Sequence, residues 1–169
     1  MKSVSHPSST RPAMSVHHNS PFSIEDIEVV LSPLFGSYYG ADRLRSIIVK
    51  SEEKWCVYDE QRGQYVACAL LSHCRKENIL YIKLFGVQPS SQGQGIGTRL
   101  LETIKRWARK RNYVALLLHT QLSNHRAIGL YEKVGFHKQY YLENFFHRHG
   151  RLPTLASHDP HAYQMILYL

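Results

Sequence analysis

The sequence predicts an α/β sandwich: one mixed, mostly antiparallel central sheet flanked by helices, in a single domain. Strand-type and helix-type runs alternate through the middle of the chain, and hairpin-type pairs of apolar runs flank them. Composition sets the scale, because 169 residues with 43% hydrophobic and 20% charged side chains suit a self-sufficient core. The same figures exclude disordered, collagen-like and membrane-embedded chains.

Residues 1–20 are rich in Ser, His and Pro, and after Met1 their only hydrophobic residues are Val4, Ala13, Met14 and Val16. They read as a disordered tail, which leaves 21–169 as the folded domain. They lack the continuous apolar run of a secretory signal, and Lys2 and Arg11 are too few for an amphipathic transit helix. No later run is long enough to span a bilayer, so the expected compartment is the cytoplasm, with the nucleus as the alternative.

Ser23 followed by Asp26 signals a helix start, and Ile24, Ile27, Val30 and Leu31 share one side of that helix. A second short helix is expected over 43–49. The apolar runs 55–58 and 65–73, separated by Asp59-Glu60-Gln61-Arg62-Gly63, predict a hairpin, and 79–87 a third strand. Over 98–111, Leu100, Leu101, Ile104, Trp107 and Ala108 recur at helical spacing opposite Arg99, Lys105, Arg106, Arg109 and Lys110. A buried-type strand follows at 114–118, then a helix over 124–133 closed by Gly135, then strands at 136–142 and 162–168. The basic helix face has no interleaved aromatic residues and reads as solvated, so no specific nucleic acid is expected.

Lys plus Arg number 21 against 13 Asp plus Glu, and the net charge of +8 favours a polyanionic partner or a phosphate-rich cofactor. Cys56, Cys68 and Cys74 cannot all pair within the chain and lack zinc spacing, which suits a reducing compartment and predicts no metal. No Gly-x-Ser-x-Gly elbow supports a hydrolase triad.

The informative segment lies between the third strand and the long helix: Gln92-Gly93-Gln94-Gly95-Ile96-Gly97. Its glycines let backbone approach a ligand and aim N–H groups at one point, where a helix N-terminus adds partial positive charge. A pyrophosphate is the natural guest, and a ligand-free flexible loop is the plain alternative. A Rossmann fingerprint would need glycine where Thr98 stands, and a P-loop would need Gly-Lys-Ser/Thr.

Gln92-x-x-Gly95-x-Gly97, so placed, resembles the acetyl-CoA loop of the GNAT superfamily of N-acetyltransferases. The resemblance runs from about Tyr65 to Phe136, taking in Leu118-His119, Asn124-x-x-Ala127, Leu130-Tyr131 and Gly135-Phe136. Tyr81-Ile82-Lys83-Leu84-Phe85-Gly86, Tyr141-Leu142 with Phe145-Phe146, and Ala162-Tyr163-Gln164-Met165 are most similar to protein N-terminal acetyltransferases of the NatE and NatF types. Departures are Gln92 for the usual Arg, Phe145-Phe146 for paired tyrosines, Leu34-Phe35-Gly36-Ser37 for the loop before the second helix, and an insertion over 151–160.

The resemblance implies a sheet splayed at an acetyl-CoA site and direct attack of an amine on the thioester. It implies Tyr131 as general acid, although Tyr131 also shares a helical face with Ala127 and Ile128 as a core residue would. Tyr81 and His119 would withdraw the amine proton through water, with a structural histidine as the alternative for His119. Phe85, Gly86, Val87, Gln92, Gly93, Gln94, Gly95, Ile96, Gly97, Thr98 and Tyr131 would hold the cofactor, with a bulge at Gly86; Asn124 would either join them or cap its helix. Phe35, Tyr38, Tyr39, Lys83, Phe145 and Phe146 would face the acceptor from two loops. The implied acceptor is a protein or peptide N-terminal α-amine, with room for a larger protein complex. A lysine side chain, a small amine, or a non-catalytic acyl-CoA-binding module are the alternatives.

Overall fold

The computed structural model describes residues 13–148 and 159–169. Strands β1 (Met14–His18), β2 (Glu53–Asp59), β3 (Gln64–Cys74), β4 (Ile79–Val87), β5 (Ala115–Gln121), β6 (His137–Leu142) and β7 (Ala162–Tyr168) form one seven-stranded sheet in the order β1-β2-β3-β4-β5-β7-β6. Each neighbouring pair is antiparallel except β4 with β5. That parallel pair exists because the connection between them is a crossover through α3 (Ile96–Lys110).

Helices cover both faces. On one side α3 and α4 (His125–Val134) bury Leu100, Leu101, Ile104, Ile128 and Val134 against Leu80, Ile82, Leu116 and Leu118. On the other, α1 (Ile24–Tyr39) and α2 (Ala41–Lys50) bury Ile27, Val30, Leu31, Leu44 and Ile48 against Cys56, Cys68, Leu70 and Leu84. The Ser23–Asp26 signal is a complete capping box: Ser23 Oγ accepts from Asp26 N at 3.1 Å and Asp26 Oδ2 accepts from Ser23 N at 2.8 Å. Gly135 closes α4 in the left-handed region, as its position predicts.

Four sequence expectations are corrected. Strand β1 lies inside the expected tail; residues 1–12 lie outside the described residues. The histidines that made this stretch look tail-like pack on aromatic rings, His18 stacking on Trp55 at 4.0 Å and His17 Nδ1 meeting Tyr65 Oη at 3.0 Å. The segment from Leu34 to Tyr39 is no loop but the last part of α1, which runs through Pro33 and Gly36. Both residues ordinarily argue for a helix break, and here packing of Leu34 and Phe35 on the sheet overrides them. The bulge falls at Lys83: β3 residues Leu70 and Leu71 pair with Leu84 and Ile82, while Gly86 pairs regularly with Cys68. Gly86 is required for another reason, since a Cβ there would stand 2.5 Å from Leu34 Cδ1. Phe145-Phe146 open a short helix, α5 (Phe145–Arg148), and most of the 151–160 insertion lies outside the described residues.

The solvated basic face of α3 is partly structural. Arg99 Nη2 donates to Met14 O at 2.9 Å, tying β1 down, and Lys105 Nζ donates to Val134 O at 2.8 Å. Cys56, Cys68 and Cys74 are free thiols. No helix among the described residues is long and apolar enough to cross a membrane.

The edge strand carries a pH-sensitive contact. Glu53 accepts hydrogen bonds from His18 Nε2, His73 Nε2 and Asn19 Nδ2. Burial pushes its carboxyl up, but the bonds from His18, Asn19 and His73 outweigh that and leave it below its ordinary value. A depressed acid stabilises fully above its unfolded pKa of about 4.3, and the contribution is lost as pH falls through the folded value. Glu53→Gln is therefore expected to flatten the loss of stability as pH falls below about 4.3, read as the urea midpoint. An equally steep acid loss in both proteins would remove Glu53 from this role.

Candidate active site

Pairing between β4 and β5 stops at Ile82 with Leu118, although β4 continues to Val87 and β5 to Gln121. Beyond that point the two strands diverge and open a cleft of about 570 Å³ that passes from one face of the sheet to the other. The bulge at Lys83 inverts the side-chain alternation of β4. Leu80 and Ile82 face α3 and α4, whereas past the bulge Leu84 faces α1 and α2, and Phe85 and Val87 return to the α3 and α4 side.

At one end of the cleft the glycine loop meets α3. Gly93 and Gly95 have φ of +76° and +78°, a region that a side chain would strain, and α3 begins at Gly95 with no side-chain cap. Its first N–H groups are thus left for an anion. Gly97 lets α4 lie close, since a Cβ would stand 3.0 Å from Leu130 Cδ2. Arg126, Leu130 and Lys133 line the cleft from one face of α4, and a Cβ at Gly93 would lie 3.8 Å from Arg126 Nη2. In the sequence the two cations are an i, i+7 pair on α4, the helix that follows β5.

Of the expected cofactor residues, Phe85, Gly86, Val87, Gln92, Gly93, Gly95, Ile96, Gly97, Thr98, Asn124 and Tyr131 line this cleft. Gln94 does not: flanked by the two positive-φ glycines, it is exposed and its amide bonds Ser90 O at 3.4 Å. Gln92 contributes backbone, because its side-chain amide donates to Val87 O at 2.9 Å and holds the loop to the end of β4. Asn124 Oδ1 accepts from Ala127 N at 3.2 Å, so the capping alternative holds while the residue also borders the cleft.

Tyr81 and His119 sit opposite the α3 and α4 core on their strands, side by side on the α1 and α2 face. Tyr81 Oη lies 3.0 Å from His119 Nδ1, and His119 Nε2 lies 3.1 Å from Gln164 Oε1. Tyr131 rises from α4 on the other face, 7% exposed, between the rings of Phe85 and Phe136. Burial pushes its phenol well above the ordinary tyrosine value, so the hydroxyl keeps its proton through the neutral range.

The remaining wall is aromatic. Phe35, Tyr38 and Tyr39 from α1, Lys83 from β4 and Phe146 from α5 line it. Phe145 does not, because it is buried beneath His119, with the rings stacked at 4.2 Å and 20°. Among the described lining residues the charged ones are Lys83, Arg126 and Lys133, and none is Asp or Glu. Among the described residues no cluster of His, Cys, Asp or Glu is arranged for a metal ion.

Residues 23–136 match the model of the Acetyltransferase (GNAT) family. N-alpha-acetyltransferase 50 of Danio rerio is 24% identical over 130 residues, covering 76% of this chain and 77% of the relative. An IAA acetyltransferase of Azospirillum brasilense is 28% identical over 131 residues, 74% of this chain and 85% of the relative. The fold superposes on the NatC complex bound to Gag peptide and CoA with a TM-score of 0.70 at 18% identity, over 91% of this chain and 98% of that one.

The loop offers a paired test of the backbone argument. Neither Gly95 nor Gly129 has an atom within 4 Å of an added Cβ, but only Gly95 has positive φ. Gly95→Ala is expected to cost roughly 1 kcal/mol and Gly129→Ala, within α4, to stabilise by about 0.5–1 kcal/mol, both read by urea denaturation. Equal effects would show that strain at Gly95 is not the constraint.

Proposed function

Because the chain belongs to the Acetyltransferase (GNAT) family, we propose that its cleft binds acetyl-CoA and transfers the acetyl group to the α-amine of a protein or peptide. The observation that carries this reading is the cleft itself: an anion cradle at one end, an aromatic wall with no Asp or Glu among its described residues at the other, and Tyr81, His119 and Tyr131 on the two faces of the gap. The residues present fit the cofactor. Uncapped N–H groups of α3, Arg126 and Lys133 would hold its phosphates, and the unpaired edge of β4 from Phe85 to Val87 would run beside its extended arm. Acetyl-CoA supplies the activated thioester.

The chain's own residues supply proton transfer. Tyr131 Oη, kept protonated by burial, gives its proton to the departing sulfur. Tyr81 and His119 take the proton that the amine nitrogen loses, from the opposite face of the sheet. No covalent enzyme intermediate is needed.

Charge selects the acceptor class. With Lys83 on the acceptor wall and no Asp or Glu among its described lining residues, the cleft offers no carboxylate to an ammonium, so it favours an amine that is neutral at pH 7. An α-amine of pKa near 8 has roughly 250 times the neutral fraction of a lysine amine near 10.4. A polycationic small amine meets the same obstacle. Support also comes from the similarity to N-alpha-acetyltransferase 50 and to the peptide-bound NatC complex. Phe35, Tyr38, Tyr39 and Phe146 favour an apolar first side chain such as Met.

Millimolar acetyl-CoA is expected to raise the melting temperature, and no shift would overturn the cofactor assignment. Tyr131→Phe is expected to lower kcat by about 10²–10⁴-fold with acetyl-CoA binding little changed, whereas normal turnover would return Tyr131 to the core. A peptide beginning with Met and an apolar residue is expected to be acetylated faster than the same peptide with a blocked N-terminus and a free internal lysine. Mass spectrometry locates the acetyl group. Preference for the lysine, or for a small amine over both peptides, would reassign the acceptor.

A further inference from the structure

Resting on the acetyl-transfer reading of this cleft, we propose that Gln164, held in turn by Gln139, is a positioning residue. It fixes His119 as the Nε2–H tautomer, so that Tyr81 Oη is the atom that receives the amine proton. The placement is encoded in backbone register. His119 and Gln164 are direct cross-strand partners of β5 and β7, which brings Gln164 Oε1 to 3.1 Å from His119 Nε2. Gln164 Nε2 donates to Gln139 Oε1 at 2.8 Å. Gln139 is the unpaired residue of a bulge in β6, between the pairs Lys138 with Met165 and Tyr140 with Gln164, and the bulge is what turns its side chain toward Gln164.

The amide orientations set the polarity of the chain of bonds. Gln139 Oε1 accepts the Gln164 amide hydrogen, which presents Gln164 Oε1, an acceptor, to His119. Nε2 must then carry the proton, and Nδ1 is left with the lone pair that faces Tyr81 Oη at 3.0 Å. A phenol donates to an imidazole nitrogen more readily than it accepts from one, so Tyr81, which lines the cleft, completes the chain as donor. The stacked ring of Phe145 holds the imidazole plane.

The proton path follows. As the amine nitrogen forms its bond to the acetyl carbon, its N–H breaks and the proton passes to Tyr81 Oη. The phenolic proton moves to His119 Nδ1, and the resulting imidazolium is held through Nε2–H by Gln164 Oε1. Tyr131 protonates the sulfur as the C–S bond breaks. Protons then exchange with solvent to restore both residues. In the sequence Gln164 occupies the unspecified position of the Ala162-Tyr163-Gln164-Met165 strand pattern, where nothing marks it as part of the site.

The test combines ¹⁵N-histidine NMR with the pH dependence of kcat for Gln164→Leu, Gln164→Glu and Gln139→Leu, with His119→Ala identifying the His119 signals. In the unmodified protein His119 is expected as Nε2–H. Gln164→Leu leaves that donor without its acceptor, so His119 should shift toward Nδ1–H, with kcat falling about tenfold and KM for acetyl-CoA unchanged. Gln164→Glu keeps an acceptor, so it should retain the tautomer and most of kcat while moving the acidic limb to higher pH, because a carboxylate holds the imidazolium. Gln139→Leu should weaken the tautomer preference without altering β7, which covers the case of a poorly folded Gln164 variant. An Nδ1–H His119 in the unmodified protein, or Gln164→Leu with unmoved tautomer and acidic limb, would overturn the proposal. If no peptide amine is acetylated by any form, the acceptor assignment fails separately, and the tautomer shift alone decides this one.

Discussion

The divergence of β4 from β5 is the constraint on which the rest of this molecule turns. A sheet gains most when every strand edge is paired, yet here the one parallel pair separates after Ile82 and Leu118 and leaves backbone groups of β4 facing a cleft. The surrounding structure keeps that opening. The bulge at Lys83 reverses which face each later residue of β4 meets. Beyond it, Gly86 lets Leu34 press α1 against the strand, and Gln92 binds the carbonyl of Val87. Helix α1 can run through Pro33 and Gly36 because its apolar side, from Ile27 to Phe35, has a surface to cover.

A gap through a sheet solves a chemical problem that a surface pocket would not. Acyl transfer to an amine requires one proton to leave and another to arrive at atoms on opposite sides of the reacting carbon. Tyr81 and His119 project on the α1 and α2 face, whereas Tyr131 stands on the α3 and α4 face, which suits the proposed division between base and acid. Their environments differ to match: Tyr131 is buried among rings and holds its proton, whereas Tyr81 and His119 are only half-buried and joined by a hydrogen bond. Charge is divided along the same axis. At the uncapped start of α3 the Arg126 guanidinium lies beside Gly93 and adds to the backbone N–H groups, and Lys133 lines the same cleft.

Sequence alone determined the order and type of the main elements, the capping box at Ser23, the left-handed turn at Gly135 and the glycine loop before α3. Each is local, fixed by residues a few positions apart whose backbone preferences or helical spacing leave one reading. Tyr131, His119, Tyr81 and most of the cleft-lining residues were legible for the same reason, through short patterns on consecutive elements. What only the tertiary structure decided depends on partners distant in the chain. Strand β1 carries few apolar residues and exists because Trp55, Tyr65 and Glu53 receive its histidines; Phe145 turned from cleft wall to support for His119; Gln94 turned to solvent. The register of β5 on β7, set by pairing of residues 41 to 53 positions apart, placed Gln164 against His119. No local preference distinguishes that glutamine from any other polar residue on a half-buried strand, so its place beside His119 appears only when the strands are paired.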